Sequence, residues 1–258
     1  MSAQELFSIK GKVAVVTGGS RGIGLMIARG FVEAGARVYI SARKADACDA
    51  AAKELSAIGE CISVPADLGT LEGVAKLSAA VAEKEQSLGI LVNNAGATWG
   101  APLDEFPDSG WDKVMDINVK GVFNLTQRLL PLLRKAASKE DPARVINIGS
   151  IDGIRVPLFE NFSYSASKAA VHMLTRHLAS KLVTDHITVN AIAPGLFPSK
   201  MTQFVFDGLG ADGASANIPL ARPGRQDDIA GTCIYLSSRA GSYLTGAVIP
   251  VDGGVSTS

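Results

Sequence analysis

The stretch from Lys12 to Ala34 restricts the fold of this chain more than any other. Lys12-Val-Ala-Val-Val-Thr-Gly18 is a short apolar run ending in glycine, the pattern of a strand buried on both faces. It passes into Thr17-Gly-Gly-Ser-Arg-Gly-Ile-Gly24 and then, from Leu25, into apolar residues at helical spacing. A strand that meets a helix across a glycine-rich turn leaves the first helical N–H groups free and lets the backbone approach an anion. The pattern predicts a phosphate cradle for a dinucleotide, formed by Gly18, Ser20, Arg21, Gly22, Ile23 and Gly24. Its glycine spacing is looser than the common GxGxxG form, so the flanking strand and helix carry much of the inference.

The same alternation continues along the chain. Further strands are expected at Arg37–Arg43, Cys61–Val64, Gly89–Val92, Arg144–Ser150, His186–Ile192 and about Ala247–Val251. Between them lie helical patterns at Ala45–Ile58, Ser109–Leu133 and Ser163–Val183, and a last one from Gln226. Strand and helix in turn imply a single doubly wound Rossmann-type α/β domain over residues 1–258, with a seven-stranded, mostly parallel sheet and helices on both faces. Residues 196–220 are irregular, with Pro198, Gly208, Gly210, Gly213 and Pro219, and are expected to form a substrate lid. Asp227 and Asp228 read as capping groups for the last helix rather than an acid/base pair.

Composition removes several function classes. Twenty-five basic residues balance twenty-five acidic ones, so no overall field draws in nucleic acid or an anionic membrane. No apolar run approaches the ~20 residues of a membrane span, and Met1–Lys10 lacks the apolar core of a signal peptide, so a cytoplasmic protein is expected. Cys48, Cys61 and Cys233 have no metal-ligand spacing, and His172, His177 and His186 do not cluster; no metal is expected.

Chemistry enters at the ends of the expected strands. The second strand closes on Ser41-Ala42-Arg43-Lys44, where an NAD site would carry an acid for the ribose 2′-hydroxyl. With Arg21 in the glycine loop, Arg43 suits a 2′-phosphate and predicts NADP(H); the alternative is that Arg43 and Lys44 begin a solvated helix. Asp67 reads as a cap for the helix after the third strand. Asn93 and Asn94 follow an apolar run and imply backbone hydrogen bonds at a strand end. Asn118, set among apolar residues, either binds water or bends its helix, and Pro131 either lies near the end of that helix or kinks it. Ser150 sits at a strand end, where ligands gather in such sheets, or is a plain turn serine. Tyr164 and Lys168, four apart on one helical face, place an ammonium near a phenol. That pairing is expected to pull the phenol from ~10 towards neutrality and make it a general acid or base.

Thr17-Gly-x-x-x-Gly-x-Gly24, Asn93-Asn-Ala-Gly96, Asn118, Ser150, Tyr164-x-x-x-Lys168 and Pro194-Gly195 together resemble, in order and over nearly the whole chain, the short-chain dehydrogenase/reductase family. Within it the runs Val16–Gly24, Ala143–Ser150 and Phe197–Thr202 are similar to the 3-oxoacyl reductase group. The four-residue Tyr164–Lys168 spacing separates the chain from enoyl reductases of the same fold.

The resemblance implies an NADP(H)-dependent oxidoreductase in which Tyr164 exchanges a proton with the carbonyl or alcohol oxygen and Ser150 orients that oxygen. Lys168 would tune Tyr164 and hold the nicotinamide ribose, and Asn118 would fix a water leading to Lys168. Asp67 and Leu68 would meet the adenine, and Asn94, Ala95 and Gly96 the adenosine. Ile192, Pro194 and Gly195 would lie along the nicotinamide, with the Ser199 hydroxyl on its carboxamide. Relatives that dock acyl carrier protein place arginines where this chain has Asp141 and Asp185, so like charge argues against a carrier-bound substrate. Apolar residues of the mobile segments, among them Trp99, Val156, Leu158, Phe159, Phe197 and Phe204, suggest an apolar small-molecule ketone or 3-oxoacyl thioester. A homotetramer or homodimer is implied by resemblance alone. Two other readings are a dehydrogenase of a sugar, polyol or steroid alcohol, and a nucleotide-binding protein without turnover.

Overall fold

A computed structural model describes residues 1–257; Ser258, the last residue of the expected domain, lies outside them. Among the described residues seven strands form one sheet: β1 Val13–Thr17, β2 Arg37–Ser41, β3 Cys61–Ser63, β4 Ile90–Asn93, β5 Ala143–Ile148, β6 Ile187–Pro194 and β7 Val248–Val251. Their order is β3-β2-β1-β4-β5-β6-β7 and every ladder is parallel. Parallel neighbours need crossovers, which the helices supply. These are α1 Ala3–Leu6, α2 Gly22–Glu33, α3 Ala45–Leu55, α4 Leu71–Lys84, α5 Asp108–Met115, α6 Gly121–Ala136, α7 Phe162–Leu182, α8 Gln203–Ser215 and α9 Gln226–Ser237. The chain runs outward from β1 to β3 and then returns to pair β4 on the other side of β1. That reversal opens a crevice at the carboxyl ends of β1 and β4, the place where such sheets bind ligands.

Strand alternation divides the core into two layers. Ala14 and Val16 face a cluster with Ile27, Phe31, Ile229 and Leu236, beneath α2 and α9. Val15 and its neighbours on the other side face Leu77, Leu125, Leu129 and Leu182, beneath α4, α6 and α7. Gly30 lets α2 and α9 come close, because a Cβ there would stand 2.6 Å from the Ala230 methyl. Arg144 is fully buried and donates from Nε to the Leu236 carbonyl at 3.1 Å and from an Nη to the Ser238 carbonyl at 3.0 Å, joining β5 to the end of α9.

Local elements depart from the sequence expectation in identifiable ways. The expected helix Ser109–Leu133 is interrupted by a π turn at Asp116–Lys120 between α5 and α6. Pro131 lies inside α6, which continues to Ala136. The segment 196–220, expected to be irregular, contains α8, bent where Gly210 takes φ +68°. Thr70, not Asp67, caps α4 by accepting from Gly73 N at 3.0 Å; Asp67 accepts from Gly69 N at 3.1 Å in a turn before it. Asp228 does act as a cap, accepting from Arg225 N at 2.8 Å while paired to Arg222. No described helix is long and apolar enough to cross a membrane.

Candidate active site

The glycine turn is built by β1, β4 and α2 together. Thr17 Oγ1 accepts from Asn94 N and Ala95 N, each at 2.9 Å, and Asn94 Nδ2 donates to the Thr17 carbonyl at 2.8 Å. Gly18 and Gly22 adopt φ of +68° and +54°, backbone that L side chains rarely take. Gly24 has no room for a Cβ, which would overlap the Gly18 carbonyl. Gly19 N donates to the Ser41 carbonyl at 3.2 Å, tying the turn to the end of β2. At Gly22 a Cβ would come within 3.1 Å of Ser199 Cβ, so Ser199 borders the turn. Ser20 and Ile23 are half-buried between these neighbours.

No side chain caps α2, which leaves its first N–H groups facing the crevice. Arg21 and Arg43 are exposed on either side, and among the described residues neither enters an ion pair. An anionic dinucleotide fits this set of donors, tight glycines and free cations. Asp67 and buried Leu68 follow β3 on one side. On the other, Pro194 pairs with Val251 and Gly195 N donates to the Val251 carbonyl at 3.0 Å, ending β6.

Next to the cradle, α6, α7 and β5 converge. Asn118, 1 % exposed, sits in the π turn. Its Oδ1 accepts from Ala97 N at 2.8 Å, and its Nδ2 donates to the Ala97 carbonyl at 3.0 Å and to Ser167 Oγ at 2.9 Å. Ser167 Oγ in turn donates to the Tyr164 carbonyl at 2.7 Å. Asn118 therefore lies where the helix departs from α geometry and also locks the turn after β4 to α7. Gly96 permits this, since a Cβ there would stand 3.0 Å from Asn118 Oδ1. Ser150 follows β5, and its Oγ accepts from Asp152 N at 3.1 Å.

The electrostatics of Tyr164 differ from the sequence expectation. Burial pushes the phenol up to about 12; the neighbouring Ser150 hydroxyl pulls it down by less, and the Asp152 carboxylate nearby adds to the rise. Lys168 is brought down to about 8 by burial. Its Nζ donates to the Ile148 carbonyl at 2.8 Å and stands 5.5 Å from the Tyr164 ring centroid, so the ammonium's hydrogen bond goes to the backbone. At neutral pH the phenol keeps its proton and the amine is mostly charged, a pair suited to giving a proton to a carbonyl oxygen.

Several neighbours outside the family motifs are reached through Asn93. Asn93 Nδ2 donates to Asn147 Oδ1 at 2.9 Å and Thr126 Oγ1 at 3.1 Å, and Asn147 Nδ2 donates to Thr175 Oγ1 at 2.9 Å. This buried chain links α6, β4, β5 and α7, so Asn93 bonds side chains far away in sequence, and the backbone contacts belong to Asn94. The signal for Asn147 was an amide inside an apolar strand, which is costly without partners. Phe197 is a core residue, 2 % exposed, whose ring lies against Gly224 and borders a cavity away from Tyr164 and Ser150. Ile154, Val156, Leu158, Phe159 and Phe204 are exposed, with Phe159 and Phe204 in edge contact at 5.2 Å. A cavity of about 290 Å³ lies beneath the 196–220 segment, lined by Leu196, Ile218 and Asp252. It lies apart from Tyr164 and Ser150, and the chemistry belongs with the latter.

Residues 12–209 match the family model described as short chain dehydrogenase. The chain belongs to the short-chain dehydrogenase/reductase family. Among members of this family, it is 54 % identical to the rhamnolipids biosynthesis 3-oxoacyl-[acyl-carrier-protein] reductase of Pseudomonas aeruginosa, covering 96 % of this chain and 97 % of that one. It is 34 % identical to gluconate 5-dehydrogenase of Gluconobacter oxydans over the full length of both. The solved Pseudomonas aeruginosa RhlG/NADP active-site complex superposes with a TM-score of 0.94 at 53 % identity, covering 98 % of this chain and 99 % of that chain.

Proposed function

We propose that this short-chain dehydrogenase/reductase is an NADP(H)-dependent reductase of a 3-oxoacyl thioester or related apolar ketone. The observation that carries the reading is the Ser150 hydroxyl at the end of β5 beside a protonated Tyr164, next to an uncapped, glycine-lined helix start. The likeness to the Pseudomonas aeruginosa 3-oxoacyl-[acyl-carrier-protein] reductase and to the RhlG/NADP complex supports a 3-oxoacyl group as substrate and NADP as cofactor.

Gly18, Ser20, Gly22, Ile23 and Gly24 would hold the cofactor diphosphate, and Arg21 and Arg43 its 2′-phosphate. Asp67 and Leu68 would border the adenine, and Asn94, Ala95 and Gly96 the adenosine. Pro194, Gly195 and Ser199 would flank the nicotinamide, with Tyr164 and Lys168 at its ribose. When bound, the dihydronicotinamide supplies a hydride to the carbonyl carbon. Ser150 and Tyr164 meet the negative charge that grows on the oxygen, and Tyr164 delivers its proton there. The charged Lys168 stabilises the phenolate left behind, and Asn118 holds the Ala97 turn and α7 in register around it.

Asp141 is paired with Lys12 at 2.7 Å and Asp185 with Arg134 at 2.8 Å, which leaves no free cation for an acidic carrier at those two points. A free or CoA-linked acyl group is favoured over a carrier-linked one. The exposed side chains of Val156 and Leu158, 88 % and 81 %, favour an apolar substrate over gluconate. Residues 196–220, with α8, would act as the lid over it. The reading also includes a cytoplasmic protein that assembles as a homotetramer or homodimer through α6 and α7, on which Phe123 and Met173 are exposed.

The test is NADPH oxidation with acetoacetyl-CoA, acetoacetyl-carrier protein and, in reverse, gluconate. Turnover of the CoA ester well above the other two supports the reading; gluconate oxidation alone overturns it.

A further inference from the structure

His172 is one turn beyond Lys168 and two beyond Tyr164 on α7, 6 % exposed. The turn that carries Ser150 lies directly on it. A Cβ on Gly149 would overlap His172 Nε2, and one on Gly153 would stand 2.9 Å from His172 Cε1, 2.7 Å from the Lys168 carbonyl carbon and 2.8 Å from Ala169 N. The imidazole lies against the Gly153 backbone, and among the described residues its Nε2 has no hydrogen-bond partner. On the far side Gly149 N donates to the Ile192 carbonyl at 2.7 Å, so the turn is held between β6 and the ring. Two glycines thus bracket Ser150, and both owe their lack of a side chain to the ring or to the helix backbone around it.

We propose that His172 is a positioning residue: its ring, wedged between Gly149 and Gly153, sets the height of the Ser150 turn over α7 and so the approach of the Ser150 hydroxyl to the Tyr164 phenol. The ring acts as a neutral spacer. Burial and the facing charges of Lys168 and Arg176 hold it at about 4, and no carboxylate contributes to its shift. A histidine that merely fills the core would affect folding but leave the Ser150–Tyr164 contact intact.

The inference rests on the proposed roles of Ser150 and Tyr164, and its test has one arm that needs turnover and one that does not. In the first, His172→Leu and His172→Asn are made alone and with Ser150→Ala, and NADPH oxidation with acetoacetyl-CoA is measured. Each single variant should lower kcat about 10-fold, with NADPH affinity by fluorescence titration within about 2-fold, and should cost less than about 2-fold more once the Ser150 hydroxyl is gone. Equal losses with and without that hydroxyl overturn the proposal. In the second arm, the ζ-carbon NMR shift of Tyr164 is read at pH 8 without cofactor. His172→Asn should move it to the position seen in Ser150→Ala, and retention of the wild-type shift overturns the proposal. Inactivity of the wild-type enzyme with the thioester would count against the proposed substrate alone, and the NMR comparison would still decide.

Discussion

Lys168 Nζ donates to the carbonyl of Ile148 at 2.8 Å and so ties α7 to the last residue of β5, one position short of the turn that carries Ser150. An ammonium held this way is charged below about 8 and neutral above it, whereas the Tyr164 phenol stays protonated to about 12. The rate of ketone reduction should therefore be level through neutrality and fall as pH rises through about 8, when the charge that stabilises the phenolate is lost. A pH–rate profile of wild type and Lys168→Met checks this. The variant should be slower by about 10²-fold and show no break near 8.

Removing the proton donor should separate chemistry from binding. Tyr164→Phe keeps the ring that packs against Lys168 but not the hydroxyl. Turnover is expected to drop at least ~10²-fold with NADPH affinity nearly unchanged, read from steady-state kinetics beside a fluorescence titration. Loss of cofactor binding in step with turnover would reassign Tyr164 to a structural role.

Cofactor choice should follow the exposed cations beside the glycine turn. Arg43→Ala, alone or with Arg21→Ala, is expected to reduce the preference for NADPH over NADH by about 10- to 100-fold, chiefly through KM for NADPH. The ratio of kcat/KM for the two cofactors measures it. Because both side chains are exposed and outside ion pairs, thermal stability should barely change.

His172 adds an acid sensitivity to the fold. Its folded-state value of about 4 lies below the ordinary 6.5, so the unfolded chain takes up its proton first as pH falls. The neutral ring's contribution is complete above about 6.5 and is lost as pH drops towards 4, about 2 kcal/mol of it by pH 5. Urea unfolding at pH 7 and pH 5 should show wild type losing that much more than His172→Asn.

Thr17 is the hub of the β1–β4 crevice. Its hydroxyl accepts from two backbone N–H groups and donates to the Val92 carbonyl at 3.3 Å. Thr17→Val keeps the shape but leaves those groups unpaired, with an expected loss of about 2 kcal/mol in urea unfolding and weaker NADPH binding.

Much of this protein is set by pattern along the chain. The glycines of the first turn, the apolar strands and the Tyr164–Lys168 spacing are local features, because strand, turn and helix each depend on neighbours a few residues away. That alternation implies a parallel sheet covered on both faces, whereas the strand order that opens the crevice at β1 and β4 belongs to the folded chain. Only tertiary structure decides, too, which polar groups meet. Asn118 and Ser167 are 49 residues apart, and Asn93 and Asn147 are 54 apart. Burial and hydrogen bonding between distant groups also fix the protonation of Tyr164 and Lys168. Helical spacing placed the amine near the phenol, but desolvation moved both groups away from the values that proximity alone implied, and the Ile148 carbonyl took the ammonium's hydrogen bond. His172 carried no motif at all, because its contacts are with two glycines whose missing side chains become meaningful only when the Ser150 turn is folded onto α7.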